Sequence, residues 1–386
     1  MIAEAEKTAL PTAAKSRNVN LDIIRSIAVF FVVSVHFFLN TGFYYVPIQG
    51  KRLWLAVCVR TLFMTCVPLF MLLTGYLMNR KRLSKQYFLG ISKTLLTYLI
   101  CCIFILIYTA VFLKENITIY SAVLDILGFT HYSWYVEMYI GLFMMIPFLN
   151  LIYNNLQNQK QKLALVVVFI ALTALPSIFN AFDLSSIYAI IHPSASGATS
   201  KLIPEWWSGF YPITYYFIGA YLKEYKDEIN ISAKKCFFAL LIFTVVFGTY
   251  NFWRSHNVNF VWGRWNNWSG IENVIDSVLL FLCILKLNTK SLPNAAKKCF
   301  LIVSELSLGA YLLSCIFDDA FYRILNEHIS AVQNRLLFYP LIVPAVFLCS
   351  SALSWIVKQI CGALLKLNGK IKTATVFKNS SRMVKS

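Results

Sequence analysis

The chain has 386 residues, of which 58% are hydrophobic and 13% charged, and a mean hydropathy of +0.63. Soluble domains carry about 25% charged residues, so this composition excludes a soluble globular protein and predicts an all-α, polytopic membrane protein. The formal net charge of +18 invites a nucleic-acid partner, but the charge is spread over short segments between apolar runs, which excludes one.

Ten spans are predicted, at approximately 20–40, 53–78, 87–112, 134–152, 163–180, 207–222, 236–253, 270–287, 299–317 and 337–357. With the N-terminus inside, 24 Lys and Arg fall in inner segments, 8 in outer segments and three within spans. The positive-inside rule then puts both termini in the cytoplasm, and the basic inner segments suit anionic lipid headgroups. One membrane domain, 20–365, is expected between a short N-terminal tail, 1–19, and a basic C-terminal tail, 366–386. The first 20 residues are polar and the first apolar run is of full spanning length, so no cleaved signal peptide is expected. The ten cysteines fall mostly within spans and form no CxxC. They read as small apolar core residues, with neither a metal site nor a disulfide framework.

The first span, LDIIRSIAVFFVVSVHFF, carries Arg25 and His36. Residues eleven apart in an α-helix come within about 20° of the same face and differ by about 16 Å in height. One face therefore bears a guanidinium low in the span and an imidazole high in it, and ionisable groups inside a membrane helix raise a functional hypothesis by default. Arg25 alone is equally explained by snorkelling, with Asp22 three residues earlier as its partner. His36 alone is equally explained by a packed ring bonded to a neighbouring carbonyl. The matched phase of the two is the stronger signal.

The second span, RTLFMTCVPLFMLLTGYL, holds Arg60, then Pro68, a predicted helix break, and Thr74-Gly75, which permit close helix approach. Arg60 fits either an outer interfacial anchor or a site residue. The inner segment after it carries Arg80, Lys81 and Arg82. The fourth span opens HYSWYVEMYIGLFMMIPFL. Its Glu137 lies at the depth expected for His36 and is either the imidazole's carboxylate partner or a water-facing residue; His131 and Tyr135 are nearby. Residues 252–268, FWRSHNVNFVWGRWNNW, crowd four tryptophans with Arg254, Arg264 and several Asn. This is an interfacial aromatic belt or a surface for sugar rings, which offer apolar faces and hydroxyls together. Glu272 and Asp276 share a face at the start of the eighth span, and Asp318-Asp319 are expected to end the ninth.

Taken in order, these segments resemble acyltransferase family 3, the integral-membrane acyltransferases that modify cell-surface glycans. LDIIRSIAVFFVVSVH resembles its opening Arg followed by His, and RTLFMTCVPLFMLLTGYL its Arg, Pro-Leu-Phe and small-residue-Gly pattern. SWYVEMYIGLFMMIPFLN resembles its Trp-Tyr segment ending in Pro. YYFIGAYL at 215–222 and LSLGAYLLS at 306–314 resemble two later patterns, although Ser314 stands where a His often follows.

The resemblance implies transfer of an acyl group, usually acetyl, from cytoplasmic acyl-coenzyme A to a sugar hydroxyl outside. His36 would be the catalytic imidazole, with Glu137 compensating it. Arg25, Arg80, Lys81 and Arg82 would hold the donor. Arg60, Trp134, Tyr135, Trp262, Arg264 and Trp265 would meet the acceptor. No tightly bound cofactor or metal is implied; acyl-coenzyme A enters as co-substrate. A transporter or flippase for a lipid-linked sugar or small anion is the alternative on the residues alone, and a sensor or scaffold with a vestigial enzyme fold is a third reading.

Overall fold

The computed structural model describes residues 17–193 and 198–383, and side chains as far as residue 367. Most of the predicted N-terminal tail lies outside this range. Three quarters of the chain is helical, with no strand among the described residues. Besides short helical turns at Pro176–Phe179, Ile187–Ile191 and Val332–Arg335, the helices are α1 (Val19–Asn40), α2 (Gly50–Phe63), α3 (Cys66–Met78), α4 (Lys85–Leu89), α5 (Ser92–Val111), α6 (Ile119–Leu127), α7 (Trp134–Asn154), α8 (Gln159–Thr173), α9 (Tyr211–Tyr225), α10 (Ala233–Arg254), α11 (Ile271–Leu285), α12 (Asn294–His328) and α13 (Tyr339–Met383).

Every predicted span corresponds to helix, but the spans are not alike. Among the described residues, eight stretches are long and apolar enough to cross a membrane. The other two, α9 and α11, have 15 residues each. At 1.5 Å per residue they reach about 22 Å, short of a hydrocarbon core about 30 Å thick. Both lie inside the bundle: Ile213–Ala220 is buried without a break, and α11 buries ten of its fifteen residues. Neighbouring helices, not lipid, surround them.

The predicted break in the second span lies between α2 and α3, at Met64-Thr65, where the Thr65 amide turns back to the Leu62 carbonyl at 3.2 Å. Pro68 follows in the first turn of α3, where a missing N–H leaves no helical bond unmade. Asp318-Asp319 do not end their helix: α12 runs ten residues further, to His328.

Helix α1 is central and its register is fixed by polar pins. Asn18 caps it, accepting from the Asn20 amide at 3.0 Å. The Asn20 side chain donates to the carbonyls of Ile284, Leu285 and Leu287 at 2.7–3.1 Å, satisfying the open end of α11. Arg17 grips Asp22 with two hydrogen bonds of 2.9 and 2.7 Å.

Helices α3 and α9 cross at glycines on both sides. A Cβ on Gly75 would meet the Tyr216 carbonyl oxygen at 2.0 Å, and one on Gly219 the Leu72 carbonyl oxygen at 2.1 Å. Gly75→Ala gains about 1 kcal/mol of helix propensity. It must also push a backbone carbonyl aside, and overpacking of this kind costs about 1–3 kcal/mol. The steric cost wins because the neighbour is backbone. The variant is expected to unfold at a lower temperature in detergent than the parent, and an unchanged midpoint would show that the crossing relaxes freely.

Candidate active site

The α1 stripe faces a cavity. Arg25, Val32, Val35, His36 and Leu39 follow one another at helical spacing along its wall, and the same cavity, of about 620 Å³, touches Arg25 at one end and His36 at the other. Its walls are otherwise largely apolar, with α3, the segment before α7, α7 itself and α12 contributing. The irregular backbone at Met64-Thr65 belongs to this lining, since Met64, Cys66 and Val67 all border the cavity. That is where broken helix is tolerated at membrane depth.

Helix α12 runs parallel to α1 and meets the stripe twice. Low in the bundle, Arg25 Nη1 donates to Ser304 Oγ at 3.0 Å. High in it, His36 Nδ1 lies 3.3 Å from Asp318 Oδ2. The guanidinium is half-buried and has no ion pair among the described residues. The expected Asp22 partner is taken by Arg17, whose two bonds to the carboxylate occupy both of its oxygens. Arg25 is thus a cation held at the cavity wall with no carboxylate in ion-pair contact among the described residues.

His36 is 9% exposed, and its ring lies between Tyr132 and Asp318. Its centroid lies 3.8 Å from that of Tyr132. Asn40 Nδ2 donates both to the His36 carbonyl, at 2.8 Å, and to the Tyr132 hydroxyl, at 3.1 Å. Asp318, 1% exposed, faces Nδ1. The contact is within ion-pair distance but is not an aligned hydrogen bond, and the Asp318 oxygens have no other bond among the described residues. Nε2 makes no hydrogen bond among the described residues and is the nitrogen left to the cavity.

The carboxylate opposite the imidazole is therefore Asp318 and not Glu137. Tyr135 and Tyr139, one turn apart on α7, line the cavity. Glu137 sits two residues beyond Tyr135, about 200° further round the helix, and is exposed on the other face.

The remaining candidates divide. Trp134, Tyr135 and Trp262 line the cavity, joined by His131, Tyr132, Tyr311 and Trp268. Trp134 and Trp268 stack with centroids 4.5 Å apart. Arg60 is wholly buried behind the wall. Its guanidinium lies 4.4 Å from both the Phe260 and the Trp262 ring centroids, and Nε donates to the Tyr44 hydroxyl at 3.1 Å. Because Tyr44 and Trp262 line the cavity, Arg60 acts on it through them. It is neither a surface anchor nor a group that reaches the cavity itself.

Trp265 is 4% exposed and belongs to the packing: its indole N–H donates to Asn251 Oδ1 at 2.8 Å, and Arg254 covers its ring at 3.8 Å. Arg264 is paired with Glu205. Neither lines the cavity, because the Trp265 ring turns inward under Arg254 while the Arg264 side chain is drawn to the neighbouring loop. Lys81 and Arg82 are exposed beyond the end of α3 and border no described cavity, whereas Arg80 borders a second one.

Residues 18–355, nearly the whole chain, match acyltransferase family 3, described as an acyltransferase domain. The chain belongs to that family. No curated protein and no solved structure matches it. Together with eight helices of spanning length, membership makes this a multi-pass membrane acyltransferase. An acyltransferase needs a base, a group to steady that base when it becomes charged, and a dry channel for the activated acyl group.

Proposed function

We propose that this acyltransferase takes an acyl group, acetyl in the simplest case, from acyl-coenzyme A on the cytoplasmic side and transfers it to a hydroxyl of a surface or secreted glycan. The membrane is then a bacterial plasma membrane with both termini of the chain inside, as the basic inner segments imply. The observation that carries the reading is that one cavity touches both Arg25 and His36. Arg25 supplies a fixed cation for the donor's phosphates. The thioester arm runs along the apolar wall, over the height of about 16 Å that separates residues eleven apart in a helix.

At the upper end, His36 Nε2 takes the proton of the acceptor hydroxyl. The freed oxygen attacks the thioester carbonyl carbon, the C–S bond breaks, and the imidazolium returns its proton to the departing thiolate. Asp318 holds the ring with Nδ1 protonated and stabilises the imidazolium. The stacked Trp134–Trp268 pair and Trp262 offer faces to a sugar ring. No step requires a tightly bound cofactor. Acyl-coenzyme A, the glycan and the surrounding lipid are the partners.

The deciding experiment is mass spectrometry of surface glycans from cells with and without the gene, joined to transfer of a labelled acyl group from acyl-coenzyme A by the protein in vesicles. One acyl mass on the glycan is the expected difference. Accumulation of an unmodified solute inside the vesicles would replace the reading with a transporter. Arg25→Ala is expected to raise KM for acyl-coenzyme A by about 10- to 100-fold, the worth of a charge-assisted hydrogen bond, while the acceptor KM changes little. An unchanged donor KM would reduce Arg25 to an anchor.

A further inference from the structure

A second cavity, of about 1170 Å³, opens at the Arg25 end of the bundle. Leu77, in the last turn of α3, lines both cavities. The character changes there. Below Leu77 the lining carries three cations, Arg80, Lys162 and Lys223, and a single carboxylate, Glu224. Asn79 borders the same space, is 3% exposed, and its Nδ2 donor has no partner among the described residues.

Glu224 is not a loose surface acid. Its side chain is 13% exposed. Oε1 accepts from Arg80 at 3.1 Å, Oε2 accepts from Lys162 at 2.6 Å, and the Tyr153 hydroxyl lies 3.4 Å from Oε2. Lys162 is itself held over the Tyr153 ring at 4.8 Å, and Lys223 over the Tyr76 ring at 4.6 Å. One carboxylate thus sits among converging donors contributed by the end of α3, α8 and α9. The cations outnumber it, and a buried amide donor beside it is unused. This is the donor set of a phosphate site whose occupant is a protein side chain.

We propose that Glu224 is a built-in counter-ion that keeps a phosphate site closed: the phosphates of the acyl donor's nucleotide end displace it from Arg80 and Lys162. The inference rests on the proposed reaction for its ligand. A phosphate monoester brings about two negative charges, which matches Arg80 and Lys162, the two cations that Glu224 holds and gives up. Arg80, with a side chain 77% exposed, is free to swing onto the ligand, and Asn79 Nδ2 gains the acceptor it lacks. With these phosphates below Leu77, the donor phosphate next to the arm meets Arg25, and the arm enters the upper cavity there. The latch makes any incoming anion compete with a tethered carboxylate, so a singly charged lipid headgroup gains less by entering than a phosphate monoester does.

The test uses adenosine 3′,5′-bisphosphate binding to the purified full chain by calorimetry. Glu224→Gln keeps the shape and removes the charge, and it is expected to tighten binding by about tenfold, the order of one charge-assisted contact relieved of competition. Unchanged or weaker binding by a variant of parental thermal stability overturns the proposal. If Glu224→Gln does not fold, Lys162→Gln decides: weakened bisphosphate binding is expected, and undiminished binding overturns the site. Vesicles of phosphatidylglycerol form the second arm. If Glu224→Gln increases association with them and leaves the bisphosphate unaffected, the cluster is a lipid site and the proposal fails. Because the readout is binding and not transfer, a protein that binds the bisphosphate through this latch yet moves no acyl group overturns the proposed reaction alone.

Discussion

Replacing His36 by alanine is expected to lower acyl transfer by about 10² to 10⁴-fold, the range that a positioned general base contributes. The loss should appear in kcat, since Arg25, the cation proposed to anchor the donor, lies eleven residues away along α1. The substitution also removes a ring packed between Tyr132 and Asp318 and strips a buried carboxylate of its only near cation, so protein level and thermal midpoint in detergent must be measured beside the rate. A second readout separates chemistry from folding. The deleted ring opens space on the wall of an existing cavity, and added imidazole is expected to restore part of the activity of the folded variant. Undiminished transfer by a folded H36A protein would remove the base from the reaction and leave the cavity as a passage only.

The features that led to His36 were local ones. A period of 3.6 joins Arg25, Val32, His36 and Leu39 within one helix, and no knowledge of other helices is needed to place them on one face. Helix existence was equally legible, because apolar runs of spanning length have few alternatives in a membrane. What local pattern does not carry is which helix faces which. Asp318 lies 282 positions after His36, and beside Asp319 it has the look of a helix end dipping into water. In fact α12 has 35 residues, about 52 Å at 1.5 Å per residue, so Asp318 is still within the bundle when a span of ordinary length would have ended. A usable signal was present: Ser304, Ser307, Tyr311, Ser314 and Asp318 step along α12 at intervals of three and four, a buried polar stripe on a membrane helix. The same blindness misdirected Glu137, which has the right depth and the wrong azimuth, and Lys81 and Arg82, which share a basic run with Arg80 but not its cavity. Hydropathy cannot distinguish a helix surrounded by lipid from one surrounded by other helices, as α9 and α11 are. Aromatic composition likewise could not say that Trp262 faces the cavity while Trp265, three residues on, packs beneath Arg254.

The two carboxylates offer the sharpest separation between composition and geometry. Asp318→Asn is expected to cut kcat by about 10² to 10⁴-fold, on the scale seen when a carboxylate that holds a catalytic imidazole loses its charge. Asparagine fills the same volume, so the site keeps its shape. Its amide cannot stabilise an imidazolium, and if its nitrogen turns towards Nδ1 it favours the tautomer with Nε2 already protonated, which is unable to accept a proton from the acceptor. Donor KM is expected to stay near the parent's, because Arg25 and Ser304 are untouched. Glu137→Gln, on the exposed face of α7, is expected to leave the rate within about twofold, as surface changes away from a site do. The double variant His36→Ala, Asp318→Asn is expected to be no slower than His36→Ala alone, since a carboxylate that works through the imidazole has nothing left to steady once the ring is gone. Multiplying losses would mean that Asp318 acts on the substrate directly. A normal rate in Asp318→Asn beside a dead Glu137→Gln would show that the working enzyme turns α7 through about half a turn relative to this structure, bringing the other acid to the ring.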